Sequence, residues 1–132
     1  MVTNPEVSSV RDSDRIIGLL DSKTLRAEQG QRMEKQLLLT RFDAGRASRG
    51  EMLTVADVLD ILSIPLLGII PESEDILRAS NLGAPITMNG STSQASRSYE
   101  DAARRLTGES VPMLIPGEKK SLFNRILGRR AA

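Results

Sequence analysis

Two short apolar runs, each preceded by a helical pattern, constrain the fold of this chain more than any other feature. The runs are 37–40 (LLLT) and 66–70 (LLGII). Continuous apolar strands of this length are typical of parallel sheets, in which helices cover both faces. The alternation of helix and strand along the chain therefore predicts an α/β fold with a mostly parallel sheet and covering helices.

Apolar residues at helical spacing predict the first covering helix over residues 5–22. Asn4 is expected as its N-cap residue and Pro5 as its first helical residue. The opposite face of this helix is charged, and such a face is most often a solvated surface. Its charged residues are Arg11, Asp12, Asp14 and Arg15.

Further helices follow from capping patterns. Thr54 and Asp57 resemble a capping box and predict a helix over residues 54–62, which Pro65 ends. A helix is also expected over residues 92–107. The segment 43–50 is predicted to form a flexible basic loop. Together with Arg41, its residues Arg46 and Arg49 could bind phosphate, but basic loops are common and this signal is weak.

The predicted sheet is small for its fold class. Besides the two apolar runs, only a stub at residues 1–3 has strand character, whereas a typical sheet contains about five strands. Apolar strands need neighbours on both edges, and this chain supplies few. We therefore expect residues 1–108 to be part of an α/β domain whose N-terminal half is missing.

The composition excludes several kinds of site. The sequence contains no cysteine and no histidine, so disulfides, thiolate zinc sites and histidine-based hydrolytic triads are excluded. The longest apolar stretch, residues 64–71, is too short to span a bilayer, and the first 24 residues do not resemble a signal peptide. These features favour a cytoplasmic protein.

Charge is distributed unevenly along the chain. Residues 118–132 carry a net charge of +4, and the preceding 117 residues carry −3. A mildly acidic body is not typical of a nucleic-acid-binding domain, so no nucleic-acid partner is expected. The basic tail requires a separate explanation.

Residues 118–132 are predicted to form an amphipathic membrane-binding helix after a linker over residues 109–117. The apolar residues fall on one narrow helical stripe, and basic residues flank it. The alternative is a C-terminal helix that packs on its own domain. The predicted membrane-binding residues are Lys119, Lys120, Leu122, Phe123, Arg125, Ile126 and Leu127.

No phosphate-binding loop of the form G-x-x-x-x-G-K-[ST] occurs in the sequence. The segment 117–121 (GEKKS) contains a glycine and a lysine, but it lacks the first glycine at the required spacing and no predicted strand leads into it. We therefore expect the chain alone not to hydrolyse ATP.

Five segments, in order, resemble the MinD family of bacterial cell-division proteins, which are deviant P-loop ATPases of the ParA/MinD type. The resemblance extends to the basic tail and covers only the C-terminal half of the family's domain. It implies a partial P-loop NTPase-like sheet. The segments are Val2–Arg15, Leu37–Arg41, Arg46–Gly50, Gly68–Glu72 and Leu77–Asn81.

This resemblance implies a regulator of septum placement that binds the inner face of the cell membrane. Members of the family bind ATP and Mg²⁺, dimerise with ATP, recruit MinC and are released by MinE. By resemblance, Arg11, Asp12 and Asp14 lie on the surface used toward MinC and MinE. The residues that would approach the nucleotide are Glu6, Arg41, Pro71 and Glu72.

By the same resemblance, ATP and Mg²⁺ binding require the N-terminal half, which carries the phosphate loop and the switch regions. Two other functions remain open at this point. One is a non-enzymatic membrane adaptor, or a truncated remnant, that presents the charged helix. The other is a DNA-partitioning relative of the ParA type, which the acidic body and the apolar tail stripe disfavour.

Overall fold

A computed structural model describes residues 1–31, 33–88 and 92–116 of the chain. Three strands and six helices alternate along these ranges. They are β1 (Val2–Thr3), α1 (Val7–Ser22), α2 (Leu25–Glu28), β2 (Leu37–Phe42), α3 (Ala44–Ser48), α4 (Val55–Leu62), β3 (Leu66–Pro71), α5 (Glu74–Asn81) and α6 (Gln94–Leu106). None of the helices within these ranges has the length and apolar character needed to cross a membrane.

The three strands form one parallel sheet in the order β1-β2-β3. Val2 is paired with Leu38, and Leu39 is paired with Ile69. The structure confirms the predicted α/β class, the parallel pairing and the short first strand. β2 and β3 are longer than predicted because their last residues pair at Phe42 and Pro71.

The main core lies on the face of the sheet that α1 and α4 cover. Leu37 and Leu39 point to this face from alternate positions of β2 and are fully buried. They belong to a cluster with apolar residues of both helices. The other members of this cluster are Val10, Ile17, Phe42, Val55, Val58, Leu62, Ile64 and Ile69.

On the opposite face, α6 packs closely against β3. A Cβ atom at Gly68 would lie 3.0 Å from the Cβ of Ala102 and 3.2 Å from Leu38 Cδ1. Glycine at this position therefore lets the helix approach the strand. Ile70 and Ala102 are buried, which completes the second face of the sheet at β3.

The predicted start of the first helix is wrong by two residues. Glu6, not Asn4, occupies the N-cap position, and α1 begins at Val7 rather than Pro5. The Pro5 ring is buried, and its carbonyl accepts a hydrogen bond from the Leu53 amide at 3.1 Å. This tertiary contact holds the chain extended beyond the proline, which local capping preferences could not predict.

The predicted capping box at the start of α4 is confirmed. Thr54 Oγ1 accepts a hydrogen bond from the Asp57 amide at 3.1 Å, and Asp57 Oδ2 accepts one from the Thr54 amide at 2.9 Å. The Thr54 hydroxyl donates a further bond, at 2.6 Å, which is the main reason that the pKa of Asp57 is lowered. α6 lies within the predicted helix 92–107.

The segment 43–50 contains the short helix α3, so the prediction of an entirely flexible loop is wrong. Asp43 Oδ1 accepts a hydrogen bond from the Arg46 amide at 3.0 Å and caps the helix. That bond is also the main reason that the pKa of Asp43 is lowered. The composition of the segment suggested a loop, and the capping aspartate was overlooked.

Replacement of Gly68 by alanine is expected to lower the free energy of unfolding by about 1–3 kcal/mol, since α6 and β3 must separate to admit a methyl group. Gly18 is the matched control: it lies in α1, and a Cβ there would meet nothing within 4 Å. Gly18→Ala should stabilise the protein by up to about 1 kcal/mol through helix propensity. Urea unfolding of both variants measures the two changes. Equal effects would show that α6 does not approach β3 as closely as the structure indicates.

Candidate functional site

The carboxyl ends of parallel strands are the usual place for ligand binding in α/β proteins. In this chain, the residues that follow the strands at that end are Asn4–Glu6, Asp43 and Glu72. The four residues that the resemblance predicts to contact nucleotide all lie at this end. We call these four residues the carboxyl-end site: Glu6, Arg41, Pro71 and Glu72.

An ion pair joins two of these residues across the ends of β2 and β3. Arg41 Nε lies 3.1 Å from Glu72 Oε2, and the side chains are 63% and 46% exposed. The Glu72 amide also donates a hydrogen bond of 3.0 Å to the Phe42 carbonyl. Exposed ion pairs contribute about 0–1 kcal/mol to stability, so folding alone does not explain two charged side chains here.

The backbone of Arg41 is strained. Its φ angle is +57°, in the left-handed region, where β2 and β3 lose their regular register between Leu39 and Phe42. For a residue with a Cβ atom, this conformation costs about 1–2 kcal/mol. Strained residues of this kind concentrate at binding sites. The bulge turns the last residues of β2 and places the Arg41 side chain at the exposed rim.

Asn4 is a member of this region that sequence reasoning assigned only to helix capping. Its Oδ1 atom is buried and has no hydrogen-bond partner in the described part of the chain. A buried, unsatisfied carbonyl oxygen costs about 1–3 kcal/mol, so it indicates a place where a donor is needed. The available signal was an Asn-Pro pair directly after a strand.

The arginines beside the site are paired with carboxylates. Arg49 donates two hydrogen bonds to Glu51, at 2.8 and 3.0 Å, and Arg46 Nε lies 4.0 Å from the same carboxylate. The Arg49 bonds are the main reason that the pKa of Glu51 is lowered and that of Arg49 is raised. Glu51 therefore balances much of the positive charge of Arg46 and Arg49, which weakens the case for a phosphate site in segment 43–50.

Glu6 lies at the N-terminus of α1, on the carboxyl-end side of the sheet. Its side chain is exposed and makes no capping hydrogen bond to the helix. A carboxylate there faces the positive end of the α1 dipole, which stabilises its charge. The structure thus pairs Arg41 with Glu72, whereas Glu6 lies at the start of α1.

A second candidate surface is the outer face of α1, which contains the predicted partner-binding residues. Arg11, Asp12 and Asp14 are all exposed, and Asp12 lies 3.9 Å from Arg15 in an ion pair with both side chains more than 70% exposed. Beside this face, a groove of about 1050 Å³ between α1 and α4 is lined in part by Asp14 and Ile61. Exposed charges next to exposed apolar side chains fit a protein partner better than a small molecule.

The predicted membrane-binding residues cannot be placed in the fold. They are Lys119, Lys120, Leu122, Phe123, Arg125, Ile126 and Leu127, and all of them lie outside the described residues. The membrane-binding helix over residues 118–132 therefore stays a prediction.

Together, the parallel sheet, the helices on both of its faces and the charged carboxyl end define an α/β protein of the P-loop NTPase-like class. No family model matches the sequence. The septum site-determining protein MinD of Neisseria meningitidis is 53% identical over 129 residues, 97% of this chain and 47% of that protein. MinD of Escherichia coli K12 is 51% identical over 130 residues, 97% of this chain and 48% of that protein.

Among solved structures, the MinC:MinD cell division protein complex of Aquifex aeolicus is similar, with a TM-score of 0.74 and 42% sequence identity. The match covers 86% of this chain and 43% of that one. Over nearly its whole length the chain is therefore homologous to MinD septum site-determining proteins. It spans about half the length of the curated relatives it matches.

Because the backbone of Arg41 is left-handed, a glycine variant at this position should be more stable than an alanine variant, which is the reverse of the usual order in a strand. Arg41→Gly and Arg41→Ala both remove the ion pair with Glu72, but only glycine relieves the strain. We expect Arg41→Gly to be about 0.5–1 kcal/mol more stable than Arg41→Ala in urea unfolding, because the relief of strain, about 1–2 kcal/mol, exceeds the entropic cost of glycine, about 0.5–1 kcal/mol. If the alanine variant were clearly more stable than the glycine variant, the strained conformation of Arg41 would not exist in solution.

Proposed function

We propose that this chain contributes to a MinD-type, membrane-associated ATPase that places the division septum together with MinC and MinE. The observation that carries the proposal is the match to MinD relatives at 53% and 51% identity over 97% of the chain. The fold and the carboxyl-end site support it, because both are arranged as a parallel α/β ATPase requires.

In this proposal, the carboxyl-end site borders the base and ribose of ATP. Arg41, Pro71 and Glu72 would lie beside the adenine, and Glu6 would approach the nucleotide across the interface of an ATP-dependent homodimer. The exposed, strained Arg41 and the unsatisfied Asn4 oxygen support a polar ligand here. Phosphate and Mg²⁺ binding would require the family's phosphate-binding half, which carries the loop that this sequence lacks.

MinC is the proposed partner of the outer face of α1. The similar structure from Aquifex aeolicus is that of a MinC:MinD complex. In this chain, the α1 face offers exposed charges on a helix that the core cluster holds in place through Val10 and Ile17. We assign MinE to the same face, since Arg11, Asp12 and Asp14 are the residues that the family resemblance points to for both partners.

The tail, residues 118–132, is proposed to bind the anionic inner face of the cell membrane as a peripheral anchor. Its four large apolar residues would each contribute about 1.5–3 kcal/mol at full burial, and less at an interface. Each nearby Lys or Arg adds about 1 kcal/mol on anionic lipid. The backbone entropy of ordering, about 1–2 kcal/mol per residue, offsets much of this gain, so a single tail binds weakly and two tails bind well.

A fusion of residues 109–132 to a dimeric carrier should sediment with anionic vesicles and detach in high salt, while the same fusion to a monomeric carrier should bind far less. Phe123→Glu or Ile126→Glu should abolish the binding, because either places a charge on the apolar stripe. Ser121→Glu, at a polar position, is the matched charge control and should weaken binding only slightly. Equal binding to neutral vesicles, or no loss in the stripe variants, would indicate that the tail packs on protein instead.

Charge reversal on α1 tests the partner surface. With a complementing phosphate-binding half present, Asp12→Lys or Asp14→Lys should weaken MinC or MinE binding at least tenfold in a pull-down titration, whereas vesicle binding should stay unchanged. Glu74→Lys, an exposed reversal on α5, is the control and should have no effect. Unchanged affinity for both partners would leave the α1 face as a solvated surface.

The alternative function, a non-enzymatic membrane adaptor, makes a different prediction about nucleotide. A non-enzymatic membrane adaptor would bind vesicles through the tail and MinC through α1 without any nucleotide. Persistence of both binding activities in the chain alone, with no response to Mg-ATP, would favour the adaptor over the ATPase component.

A further inference from the structure

A single arginine joins three parts of the fold. The guanidinium of Arg105, in the last turn of α6, donates hydrogen bonds to three backbone carbonyls. Nη1 reaches the Leu67 carbonyl at 3.0 Å, Nε reaches that of Val111 at 2.9 Å, and Nη2 reaches that of Pro112 at 2.7 Å. These bonds connect α6, the start of β3 and the segment that follows α6.

We call residues 109–116 the strap. It follows Gly108, whose φ angle of +93° ends α6, and it corresponds to the described part of the predicted linker. Arg104 Nε fixes its first residue through a 2.8 Å bond to Glu109, which is also the main reason that the pKa of Arg104 is raised. Ile115 packs against the core cluster. The strap is therefore irregular in backbone but attached at both ends.

The strap lies beside β3 and α6. Arg105 ties it to Leu67, near the amino end of the strand. Met113 and Pro116 line a cavity of about 320 Å³ together with Ile69 and Arg105. In the described sheet β3 is an outer strand, so the strap is attached to an edge strand of the sheet.

We propose that Arg105 is a positioning residue that locks the strap to β3 and so fixes the point at which the predicted membrane tail leaves the domain. This inference rests on the proposed function, because it assigns a geometry to the same tail. The planar fork of arginine suits this role, as it binds several carbonyls at once from one side chain.

The lock shortens the free tether between the domain and the membrane. With the strap bound, the free linker is shorter by the eight residues of the strap, 109–116, than with the strap released. The effective concentration of a tethered segment falls steeply as the flexible linker lengthens. The lock would thus hold the domain close to the lipid surface, and in a dimer it would hold the two tails close to each other.

Cysteine labelling tests the lock in solution, since the sequence contains no cysteine of its own. Single cysteines at Ile115 in the strap, Leu114 as an exposed reference and Val58 in the core are placed in the full 132-residue chain. Arg105→Gln should raise the labelling rate of the cysteine at position 115 at least tenfold, and Arg105→Lys should give a smaller rise. Arg78→Gln, which removes an exposed arginine of α5, is the control and should change nothing.

The cysteines at positions 114 and 58 are the controls of this labelling experiment. The cysteine at position 114 should react rapidly in every background, because Leu114 is 74% exposed. The cysteine at position 58 should stay slow in every background, because Val58 is fully buried, and slow labelling there shows that the Arg105 variant is folded. Unchanged labelling at position 115 in a folded Arg105→Gln variant would overturn the proposal.

Energy transfer from a dye on the protein to labelled lipid then tests whether Arg105 positions the domain on the membrane or only stabilises the fold. A donor dye on a cysteine at Glu74, just after the carboxyl end of β3, is measured against acceptor-labelled lipid in anionic vesicles. Among vesicle-bound chains, Arg105→Gln should lower the transfer efficiency by at least a third, while Arg78→Gln leaves it unchanged. Equal efficiency in Arg105→Gln and the parent chain would overturn the positioning role. Failure of the parent chain to bind anionic vesicles even at lipid concentrations high enough to capture a single weakly binding tail would overturn the proposed membrane function, while the labelling result would still decide the lock.

Discussion

The central position of β2 in the sheet, with one face buried and the other partly covered, is the constraint on which the rest of the structure depends. Leu37 and Leu39 face the core cluster, whereas Leu38 contacts the opposite side near Gly68. An apolar strand of this kind is stable only if helices cover both faces and strands pair on both edges. α1 and α4 supply one cover, α6 supplies part of the other, and β1 and β3 supply the two edges.

The close contact between α6 and β3 fixes the position of the last described residues of the chain. Because Gly68 has no side chain, Ala102 can lie against the strand, and Arg105, three residues later on α6, then reaches the Leu67 carbonyl. Packing in the sheet therefore sets the position of the strap, and the strap sets where the tail begins. A helix seated even 1–2 Å farther from β3 would move the guanidinium out of hydrogen-bonding distance of that carbonyl.

Periodicity and capping patterns predicted the elements that local sequence controls. The two apolar strands, the Thr54–Asp57 capping box and the helix before Gly108 were all found, because each depends on residues close together in sequence. The start of α1 was missed, since the Leu53 amide, far along the chain, binds the Pro5 carbonyl. The left-handed backbone of Arg41 could not be predicted from the sequence either, because a β-bulge depends on the register between two strands. At the carboxyl-end site, the resemblance supplied Arg41 and Glu72, but only coordinates could reveal their ion pair and the buried Asn4 oxygen.

The carboxyl end of the sheet is where the proposed activities of this chain meet. Nucleotide at Arg41 and Glu72 and a second subunit near Glu6 would both lie on this side, while the α1 face proposed for protein partners lies on the flank of the domain. Such an arrangement has a physical consequence. Dimer formation through the carboxyl end would join two tails in one particle, and the gain in effective concentration would turn weak membrane binding by each tail into stable binding by the pair. A free, unlocked linker would dilute that gain, so in this proposal the strength of membrane binding would depend on the three hydrogen bonds of Arg105.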